Sequence, residues 1–317
     1  MHYDVFNGDA DGITSLVQLR LEQPLAATLV TGTKRDNTLL HRVPVAADAS
    51  VTVLDIAVVN NRAALVSLLD AGAKVTWFDH HFAGDVPVHP RLAAHLDPAP
   101  DVCTGVLVDR YLEGRQRIWA LVAAFGDNLL DTAAALAQSL GLAADDLEAL
   151  RALGDGITYN AYSEVLADAI VPPDALFRTL LAARNPLRFV RDDPAYRRID
   201  EGRRADLALA RAVAPHARAG RADVYVLPDA PWSRRVRGIF GNEVANRAPD
   251  RAQAVLTVND RGGYAVSLRA PRCAPRGADA VCRQFGGGGG REAAAGIGDL
   301  PQDQLDAFVA QLGLRYR

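Results

Sequence analysis

The chain has 317 residues, 49% of them hydrophobic, and a formal net charge of −3. That length exceeds what a single core usually fills, so two domains are expected. No run of 18 apolar residues and no basic-then-apolar N-terminal segment is present, which points to a soluble, cytoplasmic protein with no membrane partner. Cys103, Cys273 and Cys282 are scattered and lack a CxxC spacing, which argues against a disulfide framework and a thiolate zinc site.

In chain order, short apolar runs alternate with helical ones. "YDVF", "AATLVTG", "VTVLDIAVV" and "KVTWFDHH" read as buried strands, and "GITSLVQLRLE" and "NRAALVSLLDAG" carry apolar residues at helical spacing. Strand–helix–strand order implies a parallel sheet with right-handed crossovers, whose ligands sit at the carboxyl ends of the strands. From "CTGVLVDRYL" to about Arg184 the pattern is mainly helical. The charged, proline-punctuated stretch "RNPLRFVRDDPAYRRIDEGRR" marks the interdomain connection, and "RADLALARAVAPHA" reads as a helix leading into a second unit. There "ADVYVLPD", "AQAVLTVND" and "YAVSLRAP" read as strands, "FGNEVANRA" and "GADAVCRQF" as helices, and "QDQLDAFVAQLGL" as a final helix. The fold class is therefore α/β: a parallel-sheet domain over 1–185, a linker and helix over 186–220, and a smaller α/β domain over 221–317.

The acids fall where such a sheet puts its ligands. "YDVF" ends into Asn7, Asp9 and Asp11, "VTVL" into Asp55, and "KVTWF" into Asp79, His80 and His81. Any one of these admits a bland explanation, since acids at turns cap helices and paired histidines are often only hydrogen-bonded. Together with Asp127 in "FGDN" they would crowd one crevice, where unpaired carboxylates repel one another strongly and divalent cations relieve the repulsion. Oxygen-rich ligation with one or two imidazoles suits Mn²⁺ or Mg²⁺, with cobalt and zinc also compatible with these ligand types, and two such ions assist in-line displacement at phosphorus. Phosphoester or phosphoanhydride hydrolysis is the chemistry implied.

A second feature also favours phosphate. "FGGGGGREAAAG" offers backbone N–H groups unobstructed by side chains, followed by a forked cation at Arg291; a structured turn is expected over a flexible loop. Arg269 and "WSRRVRG" add positive charge, and between Pro231 and Arg276 nine arginines face only Glu243, Asp250 and Asp260. "GDGITYNAYSEV", residues 154–165, reads equally as crevice lining and as helix packing, and His2, His41, His89, His95 and His216 read as solvated or core histidines.

"GDADG", "VLDIA", "FDHH" and "AFGDN", followed by "QFGGGGGREAAAG", resemble in order and kind the motifs of the DHH phosphoesterase superfamily, in the branch with a DHHA1 C-terminal domain, which includes RecJ-type exonucleases and bacterial nanoRNases. The resemblance covers nearly the whole chain. It implies an N-terminal DHH domain holding two Mn²⁺ or Mg²⁺ ions, a DHHA1-like substrate-binding domain, and an active-site cleft between them. Asp9, Asp11, Asp55, His80 and Asp127 match metal ligands, with Asp55 bridging and Asn7 at a ligand position often filled by histidine or aspartate. Asp79 matches a ligand or an orienter of its neighbours, and His81 a residue facing substrate phosphate; Asp55, Asp79 and His81 are the candidate catalytic groups. Gly287, Gly288, Gly289, Gly290, Arg291 and Arg269 match the phosphate grip, with Arg291 where many relatives have histidine.

The implied activity is metal-dependent hydrolysis of phosphodiester bonds in short nucleotide substrates, such as nanoRNA or dinucleotides. A pyrophosphatase or single-strand exonuclease activity and a non-catalytic nucleotide binder on the same fold are alternatives. "DADGIT" after a strand also resembles haloacid-dehalogenase-type phosphatases, but their chemistry needs a supporting lysine, and Lys34 and Lys74 are the only lysines here.

Overall fold

The structure, a computed structural model, describes residues 1–162, 166, 169–259 and 261–317, and the statements below concern those residues. The chain divides into two compact units, Met1–Glu201 and Gly202–Arg317.

The first unit is built on an all-parallel sheet of β1 (His2–Phe6), β2 (Thr28–Thr31), β3 (Ser50–Leu54), β4 (Lys74–Asp79) and β5 (Leu92–Leu96), in the order β2-β1-β3-β4-β5. Parallel strands must bury both faces, and β1, β3 and β4 are buried along most of their length, with the polar Asp4 and Thr52 buried beside their apolar neighbours. On one face Val5, Val51, Val53 and Trp77 pack with Leu65, Leu68 and Leu69 of helix α2 (Val58–Asp70). The other face is covered by a helical layer in which α1 (Ala10–Glu22), α3 (Thr104–Tyr111), α4 (Arg117–Gly126) and α6 (Ala144–Ala161) pack on one another, with α5 (Leu130–Leu140) against α4. The chain then continues through α7 (Pro173–Ala183), α8 (Pro186–Asp192) and α9 (Pro194–Arg211).

Three sequence expectations shift here. The strand expected over "VTVLDIAVV" stops at Leu54, because Asp55 turns into the left-handed region at φ 57°; Val58 is then buried and Val59 exposed as α2 begins. Strand β5 adds to the expected set, and its sequence gives little sign of it, because "LAAHL" is an edge strand, half exposed and weakly apolar. The proline-rich stretch read as a connection is helical: Pro186 stands in the first turn of α8, where its missing N–H costs nothing, and Asn185 caps that helix through Leu187 N and Arg188 N.

The second unit holds a mixed sheet in the order β10-β11-β9-β8-β7-β6, with β6 (Ala217–Ala219), β7 (Ala222–Leu227), β8 (Ala252–Val258), β9 (Tyr264–Arg269), β10 (Gly288–Gly290) and β11 (Ala294–Leu300). Only β7 and β8 run parallel. Helix α10 (Pro231–Arg247) lies on β8 and β9, while α11 (Ala278–Cys282) and α12 (Leu305–Arg315) contribute Val281, Phe308 and Leu312 to a core with Val224, Leu256, Leu268 and Ile297. The glycine run is structured: Gly288–Gly290 form the edge strand β10, and Arg291 and Ala294 close a hairpin by mutual backbone hydrogen bonds of 2.8 and 3.2 Å.

One buried charge pair ties β1 to α1. Arg20 donates to both oxygens of Asp4, with His2 and Thr52 beside them. Burial alone would raise the Asp4 pKa, but hydrogen bonds from Arg20 and His2 outweigh it and hold the carboxyl below its ordinary range. The stability in this pair is therefore present above the ordinary carboxylate range and is lost as pH falls through the lowered value. Asp4→Ala, which strands a buried guanidinium, is expected to cost about 3–5 kcal/mol in denaturant unfolding at neutral pH, with the difference from the parent shrinking in acid.

Candidate metal centre

Three strand ends and one helix end build the centre. After β1, Asn7 accepts the Asp9 N–H through its amide oxygen at 3.1 Å, and Asp9 caps α1 by accepting from Asp11 N and Gly12 N at 3.1 Å each. Close approach of the turn to the end of β2 requires Gly8, where a Cβ would stand 2.0 Å from the Gly32 carbonyl oxygen. Asp11 then reaches across to α3, accepting Thr104 N at 2.8 Å and Gly105 N at 2.7 Å. The residue before α3, Cys103, supplies no side-chain cap, so Asp11 satisfies that helix terminus from a distance of 93 residues in sequence.

Asp55 follows β3 in its left-handed turn, with its N–H bonded to Phe78 O at 3.0 Å. Asp79 ends β4, and its Oδ1 accepts from His81 Nδ1 at 2.7 Å. Asp127 stands at the C-terminal end of α4. His80 is the point of convergence. Its Nδ1 lies 2.7 Å from the Val102 carbonyl, which can only accept, so Nδ1 carries the proton. Its Nε2 lies 3.4 Å from Asp55 Oδ1, 3.4 Å from Asp127 Oδ2 and 3.6 Å from Asp11 Oδ2.

The electrostatics match that crowding. Burial, then the Asp127 charge, raises the Asp11 pKa, and burial, then Asp9 and Asp11, raises that of Asp55 well above the usual range. For Asp79 burial is outweighed by His81, and its pKa is lowered; for His81 burial is outweighed by Asp79, and its pKa is raised. Buried Asp55 Oδ1 and Asp79 Oδ2 accept no hydrogen bond among the described residues. Two sets of donors lie close enough to hold an ion, Asp11/His80/Asp127 and Asp55/His80/His81. An imidazole nitrogen facing carboxylates, on a histidine whose other nitrogen donates to a main-chain carbonyl, is a donor set that could hold a divalent cation.

One charged group in the centre lies outside the set that the sequence singles out. Lys34 Nζ bonds Asp9 Oδ2 and lies 3.9 Å from Asp127 Oδ1 and 5.7 Å from the centre of the Tyr162 ring. Burial lowers its pKa, but Asp9, Tyr162 and Asp127 outweigh burial and keep it a firm ammonium. The available signal is its place in "VTGTK", directly after β2, as the candidate ligands directly follow β1, β3 and β4. Tyr162, from the aromatic stretch with two readings, thus stands at the centre, whereas Tyr159 is core; residues 163–165 of that stretch lie outside the described residues.

In the second unit, Arg269 and the Arg291 turn meet at one end of the sheet, since Arg269 pairs with Ala294 in register. Gly287 and Gly290 have φ of 72° and 141°, conformations that favour glycine. Arg269 donates to Asn242 Oδ1 at 2.7 Å and to Ser267 Oγ at 3.0 Å. The basic excess counted between 231 and 276 is offset by acids outside that window: Arg234 pairs with Asp229, Arg235 with Asp206, Arg251 with Asp223 and Arg261 with Asp299. Buried Arg237 donates to Thr257.

If like-charge crowding strains the metal-free centre, Asp55→Asn is expected to stabilise the metal-free protein. Asparagine tolerates the left-handed backbone as well as aspartate does. Because the folded pKa of Asp55 is raised, the penalty is absent below the ordinary carboxylate range, grows as pH rises through it and is complete above the raised value. Thermal melts in chelator at neutral pH are expected to show a gain of roughly 2–4 °C per kcal/mol relieved, vanishing in acid; a loss at neutral pH would overturn the electrostatic account.

No protein-family model matches the sequence, and no curated protein does. Solved structures do. A RecJ exonuclease bound to manganese superposes with a TM-score of 0.54 at 20% identity, over 99% of this chain and 89% of that one. RecJ from Thermus thermophilus in complex with Mn²⁺ gives 0.56 at 18% identity, over 99% of this chain and 52% of the longer protein. PggH from Vibrio, described as a pGpG-specific phosphodiesterase, gives 0.55 at 13% identity, over 99% of both chains. Among the described residues no helix is long and apolar enough to cross a membrane. At these identities the likeness is one of architecture: the chain has the fold of RecJ exonuclease and of the phosphodiesterase PggH.

Proposed function

We propose that the protein is a Mn²⁺- or Mg²⁺-dependent phosphoesterase of the DHH type that hydrolyses phosphodiester bonds in short nucleotide substrates. The observation that carries this reading is His80, with Nδ1 held by Val102 and Nε2 turned to Asp11, Asp55 and Asp127. The fold likeness to RecJ bound to manganese and to a phosphodiesterase supports the metal and the bond class.

Asp11, Asp55, His80 and Asp127 would hold the cation, which when bound supplies Lewis acidity toward water and a phosphoryl oxygen. Asp11 and His80 are held for that task by main-chain groups, so their donor atoms are oriented before any ion arrives. His81, half exposed and hydrogen-bonded to Asp79, would donate a hydrogen bond to a substrate phosphate oxygen, a role that its raised pKa supports. In the second unit, Arg291 and Arg269 are the groups we assign to binding a substrate phosphate. Among the described residues there is no aromatic-rich barrel of the kind that tracks long single strands, which favours short substrates.

A nucleotide binder without turnover is the second reading, favoured by the engagement of Asn7 and Lys34 with Asp9. One purified sample assayed with Mn²⁺ and then Mg²⁺ against dinucleotides, short RNA, single-stranded DNA, a nucleoside bisphosphate and pyrophosphate separates these readings. Metal-stimulated cleavage of the dinucleotide is expected, and nucleotide affinity without any stimulated rate would establish the binder. Asp55→Asn is expected to lower the stimulated rate by orders of magnitude while leaving the protein folded. Arg291→Ala is expected to raise KM about tenfold to hundredfold for a dinucleotide with an extra phosphate, and less for a mononucleotide ester. A change below about twofold for both substrates would make Arg291 a surface residue.

A further inference from the structure

Two of the positions expected to hold metal, Asn7 and Asp9, are already engaged by the chain itself. Asn7 gives its amide oxygen to Asp9 N, Asp9 Oδ1 gives its lone pairs to the α1 terminus, and Asp9 Oδ2 holds the Lys34 ammonium. The lysine is not a loose surface side chain that happens to fall inward. Its own N–H is anchored on Ala161 O at 2.9 Å, the nearby Gly32 is pressed against Gly8, and its ammonium faces the Tyr162 ring. From there it sits between Asp9 and Asp127, whereas His80 Nε2 faces Asp11, Asp55 and Asp127.

We propose that the Lys34 ammonium takes the place of one divalent cation, so that the centre binds a single Mn²⁺ or Mg²⁺ on His80, Asp127, Asp55 and Asp11. This rests on the metal-dependent reading above and departs from the two-ion expectation of the sequence. The physical argument is charge and space: a fixed monovalent cation bonded to Asp9 neutralises the carboxylate that a second ion would need, and an ion cannot share that position with an ammonium. An amide at position 7 is consistent with this arrangement, because a turn that holds no ion there has no use for a stronger donor.

The test counts ions rather than turnovers. Metal-free wild-type protein and Lys34→Gln are titrated with Mn²⁺ by calorimetry, with folding checked by circular dichroism, and the loaded samples are examined by electron paramagnetic resonance. One equivalent with the hyperfine-split signal of an isolated ion is expected for the wild type. Two equivalents, the second weaker, with the broadened signal of a coupled pair, are expected for Lys34→Gln. Two equivalents in the wild type, or one in both proteins, would overturn the replacement while leaving the metal-dependent reading intact. No binding by either folded protein would overturn the metal-dependent reading itself, and this proposal with it. Should Lys34→Gln fail to fold, the wild-type count and spectrum still decide.

Discussion

The repulsion among Asp9, Asp11, Asp55 and Asp127, gathered at the carboxyl edge of a parallel sheet, is the constraint around which the first unit is arranged. Each acid has its own compensation. Asp9 is spent on the terminus of α1 and on Lys34, and Asp11 on the terminus of α3. Asp55 and Asp127, with the Oδ2 of Asp11, are turned toward His80 Nε2. Helix termini and an ammonium thus meet part of the negative charge from within the chain, and what remains is concentrated where a cation is useful.

Much of this is legible in the sequence because it follows from periodicity. Apolar runs ending in acids fix both the strands and the edge at which their ligands gather, so Asp9, Asp11, Asp55, Asp79 and His80 can be read without any coordinates. Lys34 cannot, because the "TGTK" turn carries a cation where an anion is sought, and the scarcity of lysine argues against looking for one. Nor can the partnership of Asp11 with Thr104 and Gly105, which depends on how α3 folds back across the sheet and leaves no trace in local pattern.

The second unit teaches the opposite lesson about charge. An excess of arginine over one window of sequence suggests a basic face, yet the acids that neutralise it come from Asp206, Asp223, Asp229 and Asp299, which lie outside that window. Pairing across strands and helices is invisible to a running count. The glycine run is the converse case: its composition alone suggests a loop without side chains, and its register with β11 makes it an edge strand closed by Arg291.

The segment from Val102 to Gly105 offers a carbonyl to the His80 imidazole and two N–H groups to the Asp11 carboxylate. Two of the donors at the centre therefore hang from one short stretch of main chain at the entrance to α3. A small slide of α3 along its axis would turn the imidazole and the carboxylate together, as two hands on a single lever. The centre would then tighten or slacken as a unit, and packing far along that helix, against α1 and α4, would act as its adjusting screw.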